Sequence, residues 1–265
     1  MTSSRGLGDV YKRQLLADPA VDAVIIATPP APRFDLARRA LEAGKHLLLE
    51  KPIALHADQA RELQRLSLAR GLSVAVDYEY RAVPLFMQAA RLLQAGAVGT
   101  PWLVKLDWLM GSRADPQRGW NWYAQADQGG GVIGALGTHA VDMLAWLIGP
   151  LGAVQALNGV SIKQRPRPDG GLAAVDAPDV SLLQTVAHWQ GRQDLPVPAQ
   201  VSLSSVSRNG RGFCLDVAGS SGSLLLSSTN QKDYVHGFEL QHAPLGEPFR
   251  ACLLYTSPSP RDDVI

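Results

Sequence analysis

VDAVIIATPP at residues 21–30 and HLLLEKP at residues 46–52 decide the fold. Each is an apolar run that ends in a tight corner bearing proline. Between them residues 33–44 read as a helix: Phe34, Ala37, Ala40 and Leu41 recur at helical spacing and Gly44 is a natural stop. Strand, helix, strand is the repeating unit of a doubly wound parallel sheet, which binds ligands beyond the carboxyl ends of its strands. Thr28, Pro29, Pro30, Glu50, Lys51 and Pro52 fall at those ends. The first run has Asp22 as its one charged residue, so the strand over 21–28 is expected to be buried on both faces.

The same reading extends outward. Residues 15–20 are the end of a short helix stopped by Pro19. A second helix spans 58–70, with Leu63, Leu66 and Ala69 as its apolar stripe and Gly71 as its cap, and a third strand spans 72–76. Residues 83–95 read as a connecting helix. Beyond residue 101 the pattern changes. Residues 102–109 alternate loosely, and 138–148 are helical with Val141, Leu144, Ala145 and Ile148 on one side. Short strands follow at 153–157, 180–189, 197–206, 213–218 and 223–228, separated by Gly, Ser, Asn and Pro. Residues 165–178 read as a loop. The fold class is therefore α/β: a partial Rossmann (doubly wound parallel sheet) domain over 15–82, its C-terminal half, then an α+β domain with a large, mainly antiparallel sheet over 83–251.

The bulk numbers exclude several functions. The 265 residues are 46% hydrophobic and 18% charged, with a formal net charge of +1. No basic block stands out beyond Arg165–Arg167, so no nucleic-acid partner is expected. Two cysteines, Cys214 and Cys252, define neither a disulfide framework nor a metal spacing. The expectations are a reduced, cytoplasmic setting, no metal, no signal peptide and no membrane span, since no apolar run nears the ~20 residues that a span needs.

The two ends read differently from the rest. MTSSRGLGDVYKRQ at 1–14 and CLLYTSPSPRD at 252–262 resemble peptides that recur when sequencing-adapter DNA is translated. Residues 1–14 and 252–265 are therefore expected to be non-native tails, against the alternative of two natural disordered tails. Gly6 and Gly8 form a Gly-x-Gly, but no apolar strand precedes it, and Lys12 and Arg13 stand where a third glycine should close the fingerprint. It is rejected as a phosphate loop.

Three constellations carry candidate chemistry. In Glu50-Lys51-Pro52, the proline keeps Lys51 out of the helical region. That can aim its ammonium across the strand ends to hold a substrate hydroxyl, and partial burial would lower its pKa and let it move protons. The competing reading is an exposed Glu-Lys pair at a turn. In the second, Gly129-Gly130-Gly131 allows close backbone approach, and His139 follows at a helix start. His139 is either a general base or a core or cap histidine, and Asp142, one turn on, either pairs with it or caps the helix. In the third, Trp120, Asn121, Trp122 and Tyr123 combine ring planes with polar groups, which suits a sugar ring or ordinary core packing.

ATPP at 27–30, EAGKHLLLEKP at 42–52, YRAVP at 80–84 and GGGVIGALGTHAVD at 129–142, in this order and spacing, resemble the glucose–fructose oxidoreductase, inositol dehydrogenase and rhizopine-catabolism (Gfo/Idh/MocA) family. The resemblance runs from about residue 15 to 228. It implies an NAD- or NADP-dependent dehydrogenase acting on a sugar or cyclitol CH–OH, with a C-terminal sheet that mediates homo-oligomers. It implies Lys51 as the catalytic lysine and His139 as the proton acceptor. Thr28, Pro29, Pro30, Glu50 and Arg81 would lie near the cofactor, and Tyr80, Trp120, Trp122 and Asp142 near the substrate. Three positions depart from the family pattern. Its Gly-rich loop and ribose-binding acidic strand should precede Leu15, Ala135 stands where an Asp is usual, and Arg33 stands where a His is usual. The alternatives are a non-catalytic relative that binds cofactor or sugar in a regulatory or structural role, and a fragment that is inactive as given.

Overall fold

The computed structural model describes residues 14–231 and 236–252. The expected non-native tails, with Gly6 and Gly8, lie outside these residues except for Gln14 and Cys252. Residues 14–17 are helical. Then β1 (Ala23–Ile26), α1 (Pro30–Glu42), β2 (His46–Glu50), α2 (Ala57–Arg70) and β3 (Val74–Asp77) alternate, and the strands form a parallel sheet in the order β1-β2-β3. Helix α1 begins at Pro30, earlier than the apolar spacing predicts. A proline fits the first helical turn because its missing N–H would have no partner there.

Both helices cover one face of this sheet, where Ile26, Leu47 and Leu49 pack with Ala37, Ala40, Leu41 and Leu63. The expected burial on both faces does not hold: Ile25 is 74% exposed on the other side. The apolar run suits a strand covered twice, and among the described residues it is covered once. On α2 the buried stripe is Leu63 and Ser67, and Ala69 is exposed. Ser67 is tolerated there because its hydroxyl donates to the Gln64 carbonyl at 2.9 Å.

The second half holds α3 (Pro84–Gln94), β4 (Pro101–Leu109), a π-helical turn (Ile133–Gly137) running into α4 (Thr138–Leu147), and β5 (Leu151–Gly159). β6 (Gln164–Pro166), β7 (Leu172–Ala174), β8 (Val180–His188), β9 (Pro196–Ser204), β10 (Gly212–Gly219), β11 (Gly222–Ser228), β12 (Glu239–Pro244) and β13 (Arg250–Ala251) follow. Eight strands form one sheet in the order β13-β12-β11-β10-β4-β9-β8-β5, antiparallel except for β4 with β9. Helices α3 and α4 pack on one face of it, Phe86, Leu93, Met143 and Leu144 meeting Leu106, Leu203, Leu215 and Leu226.

Two expectations change here. Helix α4 buries His139, Ala140, Met143, Leu144 and Leu147, whereas Val141 and Ala145 face outward. The helix is apolar nearly all round, so spacing alone does not select its inner face. Residues 165–178 hold most of the β6–β7 hairpin (164–174) rather than only loop, and Arg165 is buried at 6% exposure instead of solvated. Its guanidinium donates to the carbonyls of Asp115 at 2.8 Å and Arg113 at 2.7 Å, which substitutes for water. Among the described residues one helical stretch, Ala126–Leu147, has the length and composition to cross a bilayer, and it carries the buried face of α4.

The glycine run is structural. A Cβ on Gly130 would stand 2.4 Å from the Tyr123 carbonyl oxygen and 2.6 Å from that of Trp122. Gly131 adopts φ +78, with the Pro178 carbonyl 2.6 Å from its would-be Cβ. Gly130→Ala is expected to destabilise the fold by about 1–3 kcal/mol through forced backbone movement, read as a lower urea midpoint.

Candidate active site

Two adjoining cavities share Lys51, Arg113, Tyr123 and Ala135 in their walls. The larger, about 500 Å³, lies at the carboxyl ends of β1 and β2, against Thr28, Pro29, Pro30, Glu50, Lys51 and Pro52. The smaller, about 220 Å³, is lined by Lys51, Glu79, Tyr80, Trp108, Arg113 and His139 among others. That is below the ~300–1,000 Å³ usual for drug-sized ligands and leaves room for a small molecule.

Lys51 is partly buried and its Nζ donates to the Ala135 carbonyl at 2.8 Å. Burial pulls its pKa below the ordinary lysine value, against the carboxylates of Glu79 and Glu50 and together with the Arg33 charge. The Lys51–Pro52 peptide is cis. Arg33, 2% exposed, donates to the carbonyls of Thr28 and Pro52. It thereby ties the end of β1 to the corner that carries Lys51, and its burial pulls its own pKa down against the pull of Glu50. Thr28 Oγ1 is buried without a hydrogen-bond partner.

His139 is 3% exposed. Its Nε2 lies 3.6 Å from Glu79 Oε1, and its ring meets Tyr80 and Tyr78 edge-on. Desolvation first, and the Lys51 charge second, lower its pKa to about 3, so the imidazole is neutral at pH 7. Its Nδ1 is buried without a partner. The pKa of Glu79 is raised, chiefly by burial and also by Asp77 and Glu50, while its own backbone hydrogen bond and Lys51 hold it down in part.

The structure brings Thr28, Pro29, Pro30, Glu50, Lys51 and Trp122 to the larger cavity and Lys51, Tyr80 and His139 to the smaller. Arg81, Asp142 and Trp120 line neither. Asp142 accepts two bonds from Arg81, at 2.9 and 2.7 Å, instead of pairing with His139. Arg81 also sits over the Trp146 ring. Trp120 donates its indole N–H to the Ala174 carbonyl and its backbone N–H to Pro166, clamping the β6–β7 hairpin. Tyr123 lines both cavities in its place. Glu79 and Arg113 were not singled out from sequence. Glu79 stands two residues beyond β3, so the strand-end rule that picks Lys51 would also have found it. Among the described residues no group of three or more His, Cys, Asp or Glu is placed to hold a metal.

Known proteins match this chain in sequence and fold. A family model described as an oxidoreductase family with an NAD-binding Rossmann fold matches residues 8–78, and the GFO/IDH/MocA C-terminal domain matches residues 86–225. An uncharacterized oxidoreductase, sll0816, from Synechocystis sp. is 45% identical over 240 residues, covering 89% of this chain and 63% of that protein. Levoglucosan dehydrogenase of Pseudarthrobacter phenanthrenivorans is 30% identical over 164 residues, 62% of this chain and 42% of that protein. A solved structure of a levoglucosan dehydrogenase in complex with NADH and L-sorbose superposes with a TM-score of 0.79 at 25% identity, over 91% of this chain and 62% of that one. The chain thus spans less than two thirds of these relatives' lengths.

Proposed function

Because the chain belongs to the GFO/IDH/MocA family of oxidoreductases, with its NAD-binding Rossmann fold, we propose that it serves as an NAD- or NADP-dependent dehydrogenase acting on the CH–OH group of a sugar or cyclitol. The observation that carries this reading is the shared wall: Lys51 belongs both to the strand-end cleft and to the small cavity that holds His139. The cleft fits the nicotinamide half of a dinucleotide. The buried, unpartnered Thr28 hydroxyl would hydrogen-bond a polar group of that cofactor, and Pro29, Pro30, Glu50 and Pro52 shape the wall. When bound, that group supplies the hydride acceptor.

The chain's own residues handle the oxygen and the proton. Lys51 donates to the substrate hydroxyl and fixes the reacting carbon against the cleft. His139, neutral and desolvated, accepts the hydroxyl proton as the carbonyl forms. Glu79 faces the Nε2 of that ring and stabilises the imidazolium, a task for which no carboxylate is present at Ala135. Glu79→Gln is expected to lower kcat about tenfold with a smaller change in KM, and to move the acid limb of the rate profile. An unchanged profile would remove Glu79 from this role.

A fluorescence titration tests the cofactor part. NADH or NADPH should be bound by the complete reading frame, recovered from genomic DNA, and failure to bind either contradicts the reading. Ala135 favours a second reading, a relative that binds cofactor or sugar without turnover in a regulatory or structural role. Binding without formation of reduced nicotinamide would select it. We also propose that the outer face of the eight-stranded sheet, with Leu103, Leu157, Leu182 and Val186 exposed, mediates a homo-oligomer. A reduced, cytoplasmic setting in which Cys214 and Cys252 stay free thiols completes the reading.

A further inference from the structure

We propose that Arg33 is a positioning residue: its guanidinium clamps the corner that carries Lys51 to the end of β1 and so fixes the lysine in the wall between the two cavities. This deepens the proposed function and rests on it for the role of Lys51. Arg33 is the fourth residue of α1 and lies on the stripe that faces the sheet, with Ala37, Ala40 and Leu41. It is unfavourable there on two counts. A buried cation loses its hydration, and Arg33 is 2% exposed. A cation in the first turn also opposes the helix dipole, which favours cations at the other end. Its terminal nitrogens donate to two neutral main-chain carbonyls, those of Thr28 and Pro52, and Glu50 is the charge that favours its ionised form. A residue that breaks the local rules in this way points to a functional site, and Arg33 lies in the wall of the strand-end cleft.

The clamp sits where the sheet stops. β1 and β2 pair as far as Ile26 with Leu49, and β2 and β3 as far as Glu50 with Asp77. Past that point Pro29, Pro30 and Pro52 have no N–H with which to continue the ladder. The guanidinium supplies the next cross-link instead. It joins Thr28, two residues past Ile26, to Pro52, three residues past Leu49. Lys51 is caught between two fixed neighbours: Glu50 is held by β3 and Pro52 by Arg33. Its Nζ then reaches the Ala135 carbonyl at 2.8 Å, on the π-helical turn that runs into the helix of His139. Freeing Pro52 therefore moves the ammonium and its hold on that turn together. A shift of about 1 Å in a positioned group can cost about 10²-fold in rate. A lysine at 33 would keep the charge on a single nitrogen and lose the planar fork that serves the two carbonyls from two nitrogens.

Arg33→Gln, made in the complete reading frame alone and together with Lys51→Met, tests this. Alone it is expected to lower kcat about 10–100-fold and to change nicotinamide affinity only a few-fold. In the Lys51→Met background it should change kcat by less than about twofold, because a residue that acts through Lys51 then has nothing to position. A side chain that only stabilised the fold would act alike in both backgrounds. Arg33→Lys carries the same cycle if Arg33→Gln does not fold. A second measurement needs no turnover: the NMR signal of the Lys51 Nζ in protein with isotope-labelled lysine, assigned by its loss in Lys51→Met. Around that Nζ stand Glu50, Glu79, Arg33, Arg113 and the neutral His139, beside the Tyr80 and Tyr123 hydroxyls. Burial first, and the Arg33 charge with it, hold the Lys51 pKa down, so its titration should move upward in Arg33→Gln. Arg33→Lys keeps the charge, and a moved signal there reports the corner itself. An unchanged kcat in Arg33→Gln, an equal loss in the Lys51→Met background, or a Lys51 signal that neither variant moves overturns the proposal. If the unaltered protein reduces no nicotinamide, the dehydrogenase reading falls and the Lys51 signal alone decides the clamp. Normal turnover with an unmoved Lys51 signal does the reverse.

Discussion

Lys51→Met is expected to lower the rate of hydride transfer by about 10²–10⁴-fold while changing nicotinamide affinity only a few-fold. Methionine keeps the length and apolar stem of the side chain and removes the charge and the donor. The lysine occupies the wall common to both cavities, so under the proposed function its loss would act where the reacting carbon and the nicotinamide meet. In the proposed role the ammonium would stabilise oxygen charge that develops in the transition state, so the effect belongs in kcat. The substitution also leaves the Ala135 carbonyl without its 2.8 Å donor, which costs about 1–3 kcal/mol of stability if that carbonyl stays dry. Thermal melting separates the two effects: a folded variant with a collapsed kcat supports the role, and a folded variant with normal kcat removes it.

His139→Gln is expected to lower kcat by a similar ~10²–10⁴-fold, and it carries a second, independent signature. The native imidazole titrates near pH 3 and an unfolded one near 6.5. Between those values the unfolded chain binds a proton that the native chain does not. Stability is therefore full above about pH 6.5, falls as pH drops through the window, and reaches its largest loss, about 5 kcal/mol, near pH 3. Glutamine does not titrate, so the variant should lose that part of the acid sensitivity. Urea midpoints at about pH 7 and about pH 4 read this directly: the gap between them should narrow by about 3 kcal/mol in the variant. An equal gap in both proteins would mean that His139 is not held neutral by burial.

The strand-end rule explains which site residues are legible in the sequence. Thr28, Pro29, Glu50 and Lys51 sit in two apolar runs that end at prolines, and a parallel sheet delivers such ends to one edge. Gly130 and Gly131 are legible because only glycine tolerates carbonyl oxygens that close. Other contacts depend on distant partners that no local pattern carries. Asp142 is one turn from His139 in sequence, yet the Arg81 fork outcompetes a neutral ring for its carboxylate. Trp120, half-buried, donates its indole N–H to the Ala174 carbonyl, an acceptor 54 residues further along the chain. Arg165 looked solvated in its Pro/Gly-rich stretch, and only the folded chain supplies the carbonyls that let it be buried. The inner face of α4 was illegible for a different reason: apolar residues surround the helix, and the sheet it packs on chooses among them.

The central claim is that Lys51 and His139 form one dehydrogenase site. Its most direct measurement follows reduced nicotinamide absorbance in the complete reading frame, with NAD or NADP and a panel of sugars, sugar acids and cyclitols. The Lys51→Met and His139→Gln variants run alongside. The prediction is reduced nicotinamide from at least one substrate in the unaltered protein and its near-complete loss in both variants. No reduced nicotinamide from any pairing, or an undiminished rate in either variant, would contradict the account.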